Sequence, residues 1–361
     1  MSATPSNSKS LSPFTTTPAL PSFFARYKDR IDTALRDELD DLEPDIYQIH
    51  RYYMGWQEID GSPSQSNGGK RMRPTLAFLA ADAVGGDIER ATPIAVALEY
   101  IHNFSLIHDD LEDMDRVRHH RPTVWAVWGA PAAIVSGNAM MKIADAAARK
   151  LRAVGVDDSV ALEAESVFTN HYLKMMEGQY LDISFETVKS ISVQQYLDMI
   201  ERKTGALIEA SIYLGSLVAP KTGPDREKAS ALRMIGYDLG RIFQIRDDIL
   251  GVWGGEATGK PVGADIKRKK KSLPAVHALS YSTGATAERL QQIYQTEDDL
   301  ESGDIHVVLE EMENLGTHDY CQSMAEKRWG DCNQMIESLE LSGTTASEFT
   351  ELGEFLLVRE S

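Results

Sequence analysis

The sequence predicts an all-α protein built as one large helical bundle, and three observations carry that prediction. Apolar residues recur three and four positions apart along most of the chain. The breaks between those stretches are short and polar, marked by Gly, Pro or Ser. No segment alternates apolar and polar residues for long enough to make a convincing strand, and no internal repeat is present. The length of 361 residues allows two average domains or one large one. Helical continuity favours one, over residues 23–361, preceded by a tail over residues 1–22.

The elements follow in order. The opening MSATPSNSKSLSPFTTTPALPS is rich in Ser, Thr and Pro and lacks acidic residues, and it reads as a disordered tail. A transit peptide is the alternative, but Arg is missing and no amphipathic pattern appears. From Phe23 to about Met54 the spacing predicts helix, and GSPSQSNGGK at 61–70 is a loop. From Arg73 to about Val218 the pattern is helical almost throughout, with polar breaks at residues 85–86 and 118–123. Ser192 followed by Gln195 forms a capping box opening the helix that carries Tyr196 to Lys203. Residues 235–252 are another apolar helix, followed by a Gly-rich and then basic loop over 253–271. The remainder alternates acidic helical segments with breaks at Gly284, Gly303, Gly316 and Gly343.

Bulk properties narrow the function. A 42% hydrophobic content supplies a sizeable core. The net charge of -18, from 37 basic and 55 acidic residues, argues against a nucleic-acid surface, which needs clustered positive charge. Cys321 and Cys332 are the only two cysteines. Eleven residues apart in a helix they stand about 16 Å from each other, too far for a disulfide. That usage fits a reducing, cytoplasmic setting. No apolar run approaches the roughly 20 residues that span a bilayer.

One motif carries chemistry on its own. In SLIHDDLEDMD, Asp109, Asp110 and Asp113 form D-D-x-x-D at the end of an apolar helix. Residues four apart share a helix face, so Asp109 and Asp113 point the same way. Clustered carboxylates repel unless a cation sits among them, and hard oxygen donors at this spacing suit Mg²⁺ that keeps waters and shares a substrate phosphate. A solvated acidic helix end is the plain alternative. A second phosphate-like motif is rejected: GGEATGKP at 254–261 nearly fits a nucleotide-binding loop, but Pro261 replaces the Mg²⁺-binding hydroxyl and a helix precedes it where a strand is needed.

Further landmarks surround the aspartates. GGKRMRP lies at 68–74, EYIHNFSLIHDDLED at 99–113, Arg118 and then RPT at 121–123. GQYLD follows at 178–182, KTG at 203–205, FQIRDD at 243–248, and TGKPVGAD and KKS run on to Ser272. In this order, over about two hundred residues, they resemble the trans-isoprenyl diphosphate synthases, the family of farnesyl and geranylgeranyl diphosphate synthases. The resemblance implies an all-helical, usually dimeric fold of the isoprenoid synthase type, with two acidic motifs facing each other across a central cavity. The cofactor it implies is Mg²⁺, and the partners are an allylic prenyl diphosphate, isopentenyl diphosphate and a second copy of the chain.

The same resemblance implies roles by position. Asp109, Asp110 and Asp113, with Asp247 and Asp248, hold Mg²⁺ on the allylic diphosphate. Arg118, Lys203, Lys260 and Lys270 grip that diphosphate, while Lys70, Arg73 and His102 bind the diphosphate of isopentenyl diphosphate. Thr204 and Gln244 place oxygens near the developing carbocation. No protein general base is required, which agrees with the lack of a persuasive Ser/His/Asp or Cys/His arrangement. Phe104, just over one turn before Asp109, is expected at the cavity floor, where bulk limits the product to geranylgeranyl or farnesyl length. Ordinary core packing is the alternative for that ring.

Two positions depart from the family pattern. Gly251 replaces the third aspartate of the second acidic motif, leaving Asp247 and Asp248, with Asp265 as the next carboxylate available in support. His119 stands where a second arginine is typical, and His120 or Arg121 are the candidates to compensate. The expected product is geranylgeranyl diphosphate. The alternatives are a cyclase of the same fold, which adds no isopentenyl diphosphate, and a non-catalytic partner subunit. Lys70, Arg73 and His102 argue against the first, and the intact aspartates against the second.

Overall fold

The computed structural model describes residues 20–40, 42, 45–64, 68–255, 261–296 and 298–359. Residues 1–19 of the expected tail, and Lys260, lie outside the described residues. The described residues form an all-α fold with a single two-stranded hairpin.

α1 (Phe23–Asp37) buries Phe23, Phe24, Tyr27, Ile31 and Leu35, the stripe its spacing predicts. The helix expected to reach Met54 stops here and resumes as α2 (Asp45–Tyr53). The intervening sequence ELDDLEP carries four acidic residues, and like charges within one turn weaken a helix. α3 (Met72–Ala83) and α4 (Ile88–Glu112) follow, then β1 (Val117–Arg118) and β2 (Arg121–Pro122). Next come α5 (Val124–Trp128), α6 (Ala130–Ala148), a 3₁₀ segment (Arg149–Val154) and α7 (Asp158–Thr187). α8 (Val193–Ile200) opens on the expected Ser192–Gln195 capping box. A π-helical turn (Glu201–Gly205) joins it to α9 (Ala206–Val218), ahead of α10 (Arg226–Trp253). The C-terminal part holds α11 (Ala264–Lys267), α12 (Leu273–Tyr281), α13 (Gly284–Gln295), α14 (Ser302–Asn314), α15 (Thr317–Ser338) and α16 (Gly343–Val358). Gly284, Gly316 and Gly343 stand at helix starts as expected, whereas Gly303 lies inside the first turn of α14.

The centre is built on α3 and α9, buried along nearly their whole length. They approach so closely that a Cβ on Gly215 would meet the Ala77 carbonyl oxygen at 2.1 Å. α4, α7 and α10 surround this pair in one continuous core. A smaller apolar cluster joins the end of α10 to α11–α14 through Val252, Ile266, Leu290, Val308 and Met312. Cys321 and Cys332 are buried and free within α15, and burial pushes both thiols up. No helix among the described residues is long and apolar enough to cross a membrane.

Candidate active site

The first acidic motif closes α4. Asp109 and Asp110 occupy its last turn and Asp113 caps it, donating its N–H to the Asp109 carbonyl at 2.9 Å. The two members of the DD pair differ. Asp110 is fully buried and turned inward, accepting Arg118 Nε on one oxygen and the Tyr53 hydroxyl at 3.4 Å on the other. Asp109 faces the cleft, where Arg118 Nη2 reaches it at 3.3 Å, Lys203 Nζ at 3.3 Å and Gln179 Nε2 at 2.9 Å.

Arg118 is delivered by the hairpin, in which Val117 pairs with Pro122 and Arg118 with Arg121. Its turn residues, His119 and His120, sit at φ 48° and 63°. That left-handed conformation costs a residue with a side chain about 1–2 kcal/mol and is normally left to Gly or Asn. Arg121 is committed elsewhere. It donates to the carbonyls of Tyr52 at 3.1 Å and Gln57 at 2.8 Å and lies over the Tyr52 ring, so it does not stand in for the arginine missing at 119.

Burial pushes the Asp110 carboxyl up to about 6, against the pull of Arg118. Asp113 also rises to about 6, through crowding against protein and then the charge of Asp109, although its tip reaches solvent that screens part of the effect. A raised carboxyl adds stability that is fully present below its unfolded value near 3.8 and is lost as pH climbs through about 6. Asp110→Asn removes this titration. In metal-free urea denaturation the variant should therefore gain on the wild type from pH 4 to pH 7. The gain is bounded near 3 kcal/mol, the equivalent of moving a carboxyl from 3.8 to about 6. A stability difference that stays flat with pH would show that the buried carboxylate is not destabilised.

Lys203 and Thr204 come from the π-helical turn, a local widening of the helix that is frequent at functional sites. Gly178 of α7 makes room for it, since a Cβ there would lie 2.1 Å from Lys203 N. One turn further along α7, Asp182 accepts Lys203 Nζ at 2.6 Å. Burial favours the neutral amine, but Asp182 and Asp109 outweigh it and raise the Lys203 pKa. Thr204 donates its hydroxyl to Gln244 Oε1 at 2.7 Å, and Gln244 Nε2 donates to Asp248 Oδ1 at 3.0 Å.

The second acidic motif lies on α10 and repeats the division of labour. Asp248 is fully buried, and its Oδ2 accepts the Tyr196 hydroxyl and the Leu273 N–H at 3.0 Å. Burial pushes it up to about 6, opposed by Lys270 and these hydrogen bonds. Asp247 is half-exposed and meets the Arg359 guanidinium at 3.2 Å. Burial lowers and then Asp265, Asp248 and Asp247 raise the Lys270 pKa, with a net rise that keeps the ammonium charged. The charge of Lys270 opposes the rise of Lys203, and Asp182 helps to raise both.

A third group is cationic. Burial lowers Arg73 to about 10, with Glu99 opposing, and its Nε is buried without a hydrogen-bond partner. His102 is held well below the usual imidazole range by burial and by the charges of Arg73, Arg118, Arg71 and His119. Lys70 is lowered by burial and by Arg359. Arg71, between Lys70 and Arg73, has a structural task, pairing with Asp32 and Glu99 at 3.1 Å each. Phe104 is buried on α4, its ring 4.9 Å from that of His108.

The structure thus brings together Asp109, Asp110, Arg118 and Lys203 on one side, and Thr204, Gln244 and Asp248 on the other. Sequence reading passed over Gln179, Asp182, Tyr196 and Arg359. Gln179 and Asp182 were discoverable, since they lie three apart in GQYLD and share a face. Tyr196 and Arg359 had no local signal.

The donors fit a hard divalent cation: carboxylate oxygens paired with basic side chains in a cleft, with Asp109 and Asp247 directed outward. Among the described residues no three His, Cys, Asp or Glu side chains are gathered as a closed metal cage.

Comparison with known proteins agrees with this geometry. The family model described as polyprenyl synthetase matches residues 62–312. The (2E,6E)-farnesyl diphosphate synthase of Mycobacterium tuberculosis is 35% identical over 335 residues, covering 92% of this chain and 91% of the relative. The geranylgeranyl diphosphate synthase of the same organism is 35% identical, over 81% of this chain and 82% of the relative. Among solved structures, a polyprenyl synthetase from Streptomyces coelicolor superposes with a TM-score of 0.84 at 33% identity, covering 93% of this chain and 98% of that one. A geranylgeranyl pyrophosphate synthetase from Pyrococcus horikoshii gives 0.81 at 30% identity, covering 93% and 98%.

Proposed function

The chain belongs to the polyprenyl synthetase family, and on that premise we propose that it condenses an allylic diphosphate with isopentenyl diphosphate to give a short all-trans prenyl diphosphate. Geranylgeranyl diphosphate is the product we assign. The observation that carries the reading is Asp109, a cleft-facing carboxylate met by both Arg118 and Lys203. Carboxylates and cations interleaved in this way suit a metal-bound diphosphate, which both can contact at once.

Asp109, Asp113 and Asp247 would hold Mg²⁺, with Asp110 and Asp248 fixing the helix ends from inside. When bound, Mg²⁺ neutralises charge that builds on the departing diphosphate. Arg118, Lys203 and Lys270 bind the same group and gain most as its carbon–oxygen bond breaks, so they favour the transition state over the ground state. The Thr204 hydrogen is committed to Gln244, which leaves the lone pairs of its oxygen for the allylic cation. Asp248 fixes the Gln244 amide in the orientation that makes this so. Lys70, Arg73 and His102 hold the second diphosphate, with His102 neutral and acting as a hydrogen-bond donor. The final proton goes to the released diphosphate. A cyclase has no use for the second anion site, and the unpartnered Arg73 Nε favours the synthase.

The exposed apolar side chains Ile134 and Val135 on α6, and Leu162, Leu173 and Ile183 on α7, support the homodimer that the resemblance implies. The free buried thiols fit a cytoplasmic setting.

The test is a product assay. Purified protein with Mg²⁺ and farnesyl diphosphate should incorporate labelled isopentenyl diphosphate into a longer prenyl alcohol, extractable only after phosphatase. Unlabelled hydrocarbon formed without isopentenyl diphosphate would establish the cyclase instead. Phe104→Ala in the same assay should lengthen the product by one or more five-carbon units, because it opens space one turn below Asp109. An unchanged product would remove Phe104 from the cavity floor and leave it as core packing.

A further inference from the structure

Arg118 reaches the acidic pair from a hairpin that is poorly suited to hold itself in place. Each strand has two residues, and the turn puts His119 and His120 in the left-handed region. A lone two-stranded hairpin is marginal, and side chains in that region weaken it further. Bonds within the segment close its base, where the Asp115 carbonyl accepts the Thr123 hydroxyl at 2.8 Å and the Trp125 indole N–H at 2.7 Å. These bonds join the segment only to itself, so the tilt of the hairpin over the cleft is set from outside.

The outside hold comes from the end of α2, 69 residues before β2. Tyr52 is buried in the last turn of α2 and grips both residues of β2. Its hydroxyl donates to the Pro122 carbonyl at 2.7 Å, and its carbonyl accepts Arg121 Nη1 at 3.1 Å. The Arg121 guanidinium lies 4.2 Å from the centre of the Tyr52 ring, and its Nη2 donates to the Gln57 carbonyl at 2.8 Å and the Glu58 carboxylate at 3.2 Å. Those acceptors are presented by a loop closed on itself, with Gln57 bridged to Pro63 and the Glu58 N–H donating to the Ser62 carbonyl at 2.8 Å. Tyr53, the next residue of α2, donates its hydroxyl to Asp110 at 3.4 Å. The end of α2 therefore holds both partners of the Arg118–Asp110 pair: the hairpin that carries the arginine and the carboxylate that receives it. A planar fork stacked on a ring and bonded to several oxygens of one segment is a stiff connection, and a lysine does not reproduce it.

We propose that Tyr52 and Arg121 are positioning residues that act through Arg118, an inference that rests on the diphosphate reading of Arg118 given above. Neither side chain enters the substrate site itself. Together they fix the hairpin against α2, and so hold the Arg118 guanidinium where it meets the departing diphosphate.

A double-mutant cycle on the full-length protein tests this. Wild type, Arg121→Met, Arg121→Lys, Tyr52→Phe, Arg118→Met and the doubles Arg121→Met/Arg118→Met and Tyr52→Phe/Arg118→Met are compared. The measurements are kcat and KM with farnesyl and isopentenyl diphosphates, pyrophosphate binding with Mg²⁺ by titration calorimetry, and melting. Misplacing a group by 1 Å can cost about 10²-fold, so Arg121→Met should lower kcat/KM for farnesyl diphosphate by about that factor, chiefly in kcat. Arg121→Lys should recover little of the loss, and Tyr52→Phe should cost less, since only the bond to Pro122 goes. With Arg118→Met already present, Arg121→Met or Tyr52→Phe should change kcat/KM by no more than about twofold, because the group they position is gone. The same loss in both backgrounds, or none in either, would overturn the proposal and leave the diphosphate reading intact. Tyr52→Phe, which removes a single oxygen, decides the matter in the same way if Arg121→Met melts below the assay temperature. Arg118→Met with wild-type turnover and pyrophosphate affinity would instead remove the diphosphate reading of Arg118, and the inference with it.

Discussion

Asp109→Asn should lower Mg²⁺-dependent turnover about a thousandfold or more while moving the melting temperature by only a few degrees. Asparagine keeps the shape of the side chain and one oxygen to accept from Gln179 and Lys203, and gives up only the Arg118 contact on the other oxygen. What it removes is the charge. Metal coordination of a departing phosphate is worth several kcal/mol of transition-state stabilisation, and each 1.36 kcal/mol is about tenfold in rate. Asp109 faces the cleft, unlike Asp110, so little folding energy depends on it. The check is single-turnover product formation against Mg²⁺ concentration, with the melting curve alongside. Turnover near the wild-type value would remove Asp109 from the metal site.

Lys203→Met should cost about 10²- to 10³-fold in kcat, the range seen when one preorganised donor to a developing anion is lost in a water-excluded site. Methionine keeps most of the aliphatic stem, so packing at the π-helical turn is retained. Two effects then separate. Asp182 and Asp109 lose a shared cation at 2.6 and 3.3 Å, which lowers stability modestly because both carboxylates still reach water. The departing diphosphate loses a charge that matters most as its bond breaks, which lowers kcat more than it raises KM for the allylic substrate. A variant in which KM rises and kcat holds would show that Lys203 binds substrate and transition state equally. Arginine should not restore the rate, since a planar fork does not reproduce the compact ammonium set between Asp182 and Asp109.

Much of this protein is legible along the chain because its information is local. Helical periodicity, the capping box at Ser192 and the shared face of Asp109 and Asp113 each depend on residues within one or two turns. The ordered landmarks add the family, and with it the expected roles of Arg118, Lys203, Thr204 and Gln244. Apolar spacing alone does not register the acidic run that follows Asp37, where the first helix ends.

Tertiary structure decided the rest. In each DD pair the sequence presents two equivalent carboxylates, and packing turns Asp110 and Asp248 inward while Asp109 and Asp247 face the cleft. Arg121, a neighbour of Arg118 in the hairpin, proved to serve the Tyr52–Glu58 segment and not the substrate site. Arg359 reaches Asp247 across 112 residues of sequence, and Tyr196 reaches Asp248 across 52. Gly251 leaves a gap in the second acidic motif, and packing puts the Asp265 carboxylate in the volume a side chain there would need. The physical reason is common to all of these. The face a residue occupies is set by its own helix, but what stands opposite that face is set by how closely other helices approach, and glycines far away in sequence fix that distance.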